Sequence, residues 1–151
     1  MHLIEENLAN AKAALGPDDR WVDWLMADLA YARREAGQLA EARQLCEESI
    51  VRTKARLGAE VTPVAHDLRR YAEVLLRQEE FAAAEAALRE ALPVLERNSP
   101  TISSRYFTQH LLGEALARQK RHGEAELPLV EGAKGMWSVG SVLDYRSKDQ
   151  L

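Results

Sequence analysis

The chain has 151 residues, of which 46% are apolar and 29% charged, enough apolar surface for one folded domain or a short repeat array. A net charge of −4 and a pI near 5.6 argue against a nucleic-acid surface, and a single cysteine excludes an internal disulfide framework and a cysteine-based zinc site. No apolar run is long enough to span a membrane, and MHLIEENLANAK lacks the basic start and apolar block of a secretory signal, so a soluble, cytoplasmic chain is expected.

Alanine and leucine dominate, with 24 and 21 copies against nine aromatics, which favours helices that approach one another closely. A period organises them. Leu29-Ala30 recurs as Tyr71-Ala72 and as Leu112-Gly113, at steps of 42 and 41. Ala42, Ala84 and Ala125 repeat the same steps, and the small residues Ser49, Ala91 and Gly132 follow each of them by seven. Asn7-Leu8 and Leu15-Gly16 precede Ser49-Ile50 and Leu57-Gly58 by 42, so the chain opens inside a unit. Such a start is expected of a fragment or a degenerate paralogue.

In chain order, the pattern predicts a lone helix over about 3–15, the second half of a unit. The first helix of the next unit starts at Asp18 or Asp19, either of which can cap free backbone N–H groups, and ends near Gly37. Its partner runs over about 39–57 and stops at Gly58, a left-handed C-cap. Thr62-Pro63 reads as an N-cap followed by proline at the first helical position, opening helices of about 63–78 and 80–97. Pro93 is expected to bend or shorten the second of these, whereas Pro128 lies near a helix start. Asn98-Ser99-Pro100-Thr101 breaks the chain before helices of about 101–119 and 122–134. No stretch alternates as a strand would. The reading is all-α: a half unit 1–17, three units 18–60, 61–100 and 101–136, and a tail or cap 137–151.

These positions resemble the tetratricopeptide repeat (TPR), which places a large residue before a small one in its first helix and small residues where the helices cross. Leu29/Ala30, Ala42 and Ser49 carry the likeness in the first full unit. Tyr71/Ala72, Phe81, Ala84 and Ala91 carry it in the second, and Leu112/Gly113, Leu116, Ala125 and Gly132 in the third. The 42-residue spacing is similar to the kinesin-light-chain type. The stretch LLGEALARQKRHGEAELPLVEGAKGM resembles the TPR region that follows the catalytic domain in many bacterial serine/threonine kinases, which implies a bacterial signalling context. Arg33 departs from the pattern, standing where an apolar or aromatic residue is usual, as do Leu39 and His122 where larger aromatics are common. The resemblance implies a right-handed α-solenoid of about three and a half repeats.

The search for chemistry is negative. Phosphate-binding glycine loops, a dinucleotide fingerprint, H-E-x-x-H and kinase signatures are all missing, so no enzyme and no cofactor is expected. His110 and Glu114 share a helix face, but no third metal ligand has matching spacing. His66 with Glu73 reads as surface electrostatics, and Cys46 as a buried thiol. Ser103-Ser104 has no base nearby in the pattern, and the charged runs at Arg33–Glu35 and Arg118–Arg121 read as solvated helix faces.

Stacked hairpins curve so that their first helices line a groove, where peptides lie in the resembled family. Register carries that groove onto Trp24, Tyr31, His66, Arg69, Glu73, Arg77, Phe107, His110, Glu114 and Arg118, with Ala27 and Glu35 between them. The paired Lys and Asn of the chaperone-binding carboxylate clamp are missing, because Arg69, Arg70, Glu73 and Glu114 stand there. The expected ligand is a protein or peptide with apolar anchors and some acidic residues. The alternative is a structural role, in which open repeat ends stack into a homo-oligomer.

Overall fold

A computed structural model describes the backbone of residues 2–98 and 103–148, with side chains to residue 138. Seven helices account for nearly all of it, and no strand occurs among the described residues. They are α1 (His2–Leu15), α2 (Arg20–Glu35), α3 (Leu39–Leu57), α4 (Thr62–Arg77), α5 (Phe81–Asn98), α6 (Ser103–Arg118) and α7 (His122–Lys148).

Local chemistry sets the ends. Asp19 caps α2, its carboxylate accepting from the Trp21 N–H at 2.8 Å. The α4 cap is Val61, one residue before the Thr62 that the Thr-Pro pair suggested, and no side chain bonds the free N–H groups there. Gly58 ends α3 with φ +88° and ψ 168°. That is the extended positive-φ region, which glycine alone occupies without strain, rather than the left-handed helical one. Pro93 does not shorten α5, which runs on to Asn98. Its ring sits on an exposed face, and the one hydrogen bond it forfeits is outweighed by the packing of Ala91, Val94 and Leu95 on either side. The last helix is the longest. It passes through Gly135 and the expected tail boundary without interruption, up to Lys148.

Each helix packs on the next, and α2 with α4 and α4 with α6 also touch. Among the described residues, the backbones of α3 and α5 do not approach each other, and neither do those of α5 and α7; α3 and α5 meet only through long side chains, as in the Lys54–Glu90 ion pair at 2.6 Å. The first helices of the hairpins are therefore the inner, tighter layer, and the second helices splay apart behind them. That difference in spacing is what curves the array.

The main core lies between α4, α5, α6 and α7. Leu75, Leu88, Leu95 and Leu116 are fully enclosed there, with Ala72, Ala84, Ala91 and Ala125 where the axes cross. A smaller cluster joins α1 to α2 through Leu8, Val22, Met26 and Leu29. Ala30, Ala42, Cys46 and Val74 link the two. The glycines complete the small-residue pattern. A Cβ on Gly113 would fall 2.6 Å from Leu129 Cγ, and one on Gly132 would fall 2.7 Å from the His110 backbone nitrogen. Arg33 is an apolar-to-charged departure with a job: it pairs with Glu5 of α1 and donates to Gln38 Oε1 at 2.6 Å, tying the half unit to the first full one.

Candidate groove formed by α2, α4 and α6

Two cavities of about 350 Å³ each open on the inner layer. The first lies between α2 and α4, is lined by Tyr31, Arg34, Arg69, Arg70, Glu73 and Phe107, and has Cys46 behind it. The second continues between α4 and α6, along Glu73, Arg77, Phe107, Leu111, Glu114 and Arg118. A third, of about 370 Å³, lies at the N-terminal ends of α2 and α4 and holds Trp24, Ala27, His66, Asp67, Arg70 and Leu57.

All the groove residues expected from register line these cavities except His110 and Glu35. The stripe that faces the groove along α6 is Phe107, Leu111, Glu114 and Arg118, a spacing of four, three and four residues. This puts Leu111 on the groove and turns His110 off it by one residue. The His110 backbone instead faces Gly132 of α7. Trp24 and Tyr31 are open to solvent, at 63% and 59% exposure. Trp21 and Trp24 lie with ring centroids 6.3 Å apart and planes tilted by 52°, and do not seal the half unit, a role taken by Leu8, Val22 and Met26.

The structure adds groove residues that register did not supply. Arg34 lines both of the first two cavities, and its largely buried side chain pairs with Glu73 and Glu35. Glu73 also takes Arg69, four residues earlier on α4. The run Arg33–Glu35 is thus an inter-helix ion network and not a solvated face. The run Arg118–Arg121 stays largely exposed, as expected, but two of its arginines also reach the neighbouring helix. Arg118 lies 4.7 Å over the Phe81 ring, and Arg121 bonds Glu85 at 2.6 Å.

Behind the groove, Asp67 is buried. It accepts from the Thr53 hydroxyl at 2.8 Å and from Arg70 at 2.9 Å. Burial raises its pKa despite these partners. Protonation is therefore easier in the folded chain than in the unfolded one, so the contribution of Asp67 to stability is full below about pH 4 and falls as the pH rises. Asp67→Asn, which keeps an acceptor for Thr53, is expected to raise the melting temperature at pH 7 and to match the wild type at pH 4. Melting curves of both chains at the two pH values check this. A variant less stable at pH 7 than at pH 4, relative to wild type, contradicts it. His66 moves the other way: burial first, then Arg69 and Arg70, lower its pKa and favour the neutral ring. Burial pushes the Cys46 thiol up to about 12, so it is not a nucleophile at neutral pH, despite Arg34 and Arg70 nearby. Among the described residues no group of three His, Cys, Asp or Glu side chains converges as a metal site. No helix among them is long and apolar enough to cross a membrane.

Comparison with known proteins agrees with this geometry. Residues 24–60 match the family model for the tetratricopeptide repeat. The fold is that of a TPR solenoid. Among solved structures, it is similar to BtubC (BKLC) from P. vanneervenii, with a TM-score of 0.81 and 13% identity over 92% of this chain and 56% of that one. It is also similar to two structures of a Podosopora anserina putative kinesin light chain with nearly identical TPR-like repeats. One of them gives a TM-score of 0.78 and 20% identity, covering 87% of this chain and 62% of that one. The other gives 0.70 and 19%, covering 91% and 66%. The chain thus spans about three fifths of the length of these structures. No curated protein sequence matches it.

Proposed function

We propose that the protein is a non-catalytic binding scaffold whose inner groove takes a peptide or an extended protein segment with apolar anchors and acidic side chains. The observation that carries this is the composition of the α2–α4–α6 face. Exposed Trp24 and Tyr31 stand beside Arg34, Arg69, Arg77 and Arg118 over three adjoining cavities. Aromatic and arginine side chains supply most binding energy where they are held in place, and here Arg34 and Arg69 are held by Glu73 and by the Tyr31 and Phe107 rings before a ligand arrives. The likeness of the third unit to kinase-associated TPR regions supports a setting in bacterial cytoplasmic signalling.

The test is selection of a displayed random peptide library on the folded chain. Enriched peptides are expected to carry an aromatic or aliphatic anchor near an Asp or Glu, and to bind Trp24→Ala/Arg77→Gln at least tenfold more weakly. Peptides that bind the double variant as well as the wild type would overturn the groove. A second reading, self-association, is favoured by Leu127, Val130 and Trp137 exposed on α7. It requires a dimer in sedimentation that Trp137→Glu dissolves, and a monomer at high concentration removes it.

A further inference from the structure

The cavity between α2 and α4 holds more guanidinium than carboxylate. Arg34, Arg69 and Arg70 all reach it. Arg70 is matched by Asp67 and Arg34 has Glu35 outside the cavity, but the one carboxylate that lines the cavity, Glu73, is shared by Arg34 and Arg69. The Nε of Arg69 is buried without a hydrogen-bond partner. Burial lowers the pKa of Arg69 even against the pull of Glu73, and Arg70 and Arg34 add to that effect. The guanidiniums are fixed in place: Arg34 lies 4.9 Å over the Tyr31 ring and Arg69 lies 5.3 Å over the Phe107 ring.

We propose that this cavity is a subsite for a phosphate monoester on the groove ligand, a phosphorylated side chain, and that Glu73 is the internal occupant it displaces. The proposal rests on the groove reading above. A lone carboxylate entering between Arg34 and Arg69 exchanges like for like with Glu73 and gains little. A phosphate monoester brings a charge of about −1.5 to −2 and three acceptor oxygens. It can engage both guanidinium forks and still reach the unpartnered Nε. Glu73 then sets a charge threshold: dianions displace it and monoanions do not. The aromatic walls of Tyr31 and Phe107 supply apolar contact for whatever carries the phosphate.

The test uses the whole chain and two small probes of similar shape, followed by NMR titration. Phenyl phosphate is the dianion and benzenesulfonate the monoanion. At pH 7.5 phenyl phosphate is expected to shift the signals of Arg34 and Arg69 and to bind at least tenfold tighter than benzenesulfonate. At pH 5, where the phosphate keeps a proton, the preference shrinks. Glu73→Gln is expected to tighten phenyl phosphate severalfold and to admit benzenesulfonate, an outcome that a merely destabilised variant does not produce. Arg34→Gln loses phenyl phosphate while keeping its helical circular dichroism. Equal affinity for the two probes, or weaker phenyl phosphate binding by Glu73→Gln, overturns the subsite. So does a single-stranded oligouridine that binds better than phenyl phosphate, since a phosphodiester is then the ligand. Selected peptides that bind while phenyl phosphate does not leave the groove standing and remove the subsite. Phenyl phosphate binding without any groove peptide removes the groove and keeps the phosphate site.

Discussion

Replacing Gly132 with leucine is expected to cost about 3 kcal/mol or more, the upper range for overpacking a closed interface. A Cβ there lands 2.7 Å from the His110 nitrogen and 2.8 Å from the Tyr106 carbonyl oxygen, both backbone atoms of α6. A side chain can rotate away from such a clash, but a helix backbone cannot, so α6 and α7 must separate. Separation uncovers Leu112, Leu116 and Ala125 in the main core. Gly123 provides the internal control, since a Cβ there meets nothing within 4 Å. Gly123→Ala is expected to be neutral or to stabilise by up to about 1 kcal/mol through helix propensity. Denaturant unfolding of the two variants beside the wild type decides it, and a Gly132→Leu midpoint equal to wild type would contradict the packing described.

The second large effect is expected from Leu88→Ala. Leu88 is fully enclosed in the main core, and its truncation is expected to cost about 3 kcal/mol, as for other buried leucines. In a solenoid that loss stays close to its source, because each unit is stabilised mainly by its neighbours. The cluster of Leu8, Val22, Met26 and Leu29 has no member in the core that contains Leu88. Hydrogen exchange of Leu88→Ala should therefore speed up in α4 to α7 well before it does so in α2. Uniform acceleration along the whole chain would show one cooperative unit instead.

The period of 42 and 41 residues located the helices because it is written in residues that have no alternative. Only a small side chain fits where Ala42, Ala84 and Ala125 sit. The start of α3 at Leu39 and its end at Leu57 coincide with the sequence reading for that reason and because Gly58 stops the helix. Pro93 does not shorten α5 as it could have, because the cost of a missing N–H is local while the packing that overrides it comes from other helices. Arg34 and Asp67 were not visible as groove or core residues. Charges look alike in a sequence, and whether an arginine meets water or Glu73 depends on how α2 lies against α4. His110 shows the limit of transferring register from one helix to the next. A shift of one residue around α6 exchanges it for Leu111, and nothing in the repeat pattern separates the two.

The central claim is that ligands bind on the α2, α4 and α6 face. Hydrogen exchange of the chain, with and without a peptide selected on it, tests this most directly. Protection is expected in α2, α4 and α6, strongest around Tyr31, Arg69 and Phe107, with α3 and α5 unchanged. Protection confined to α3, α5 or the outer side of α7 would place the ligand on the opposite surface and contradict the account.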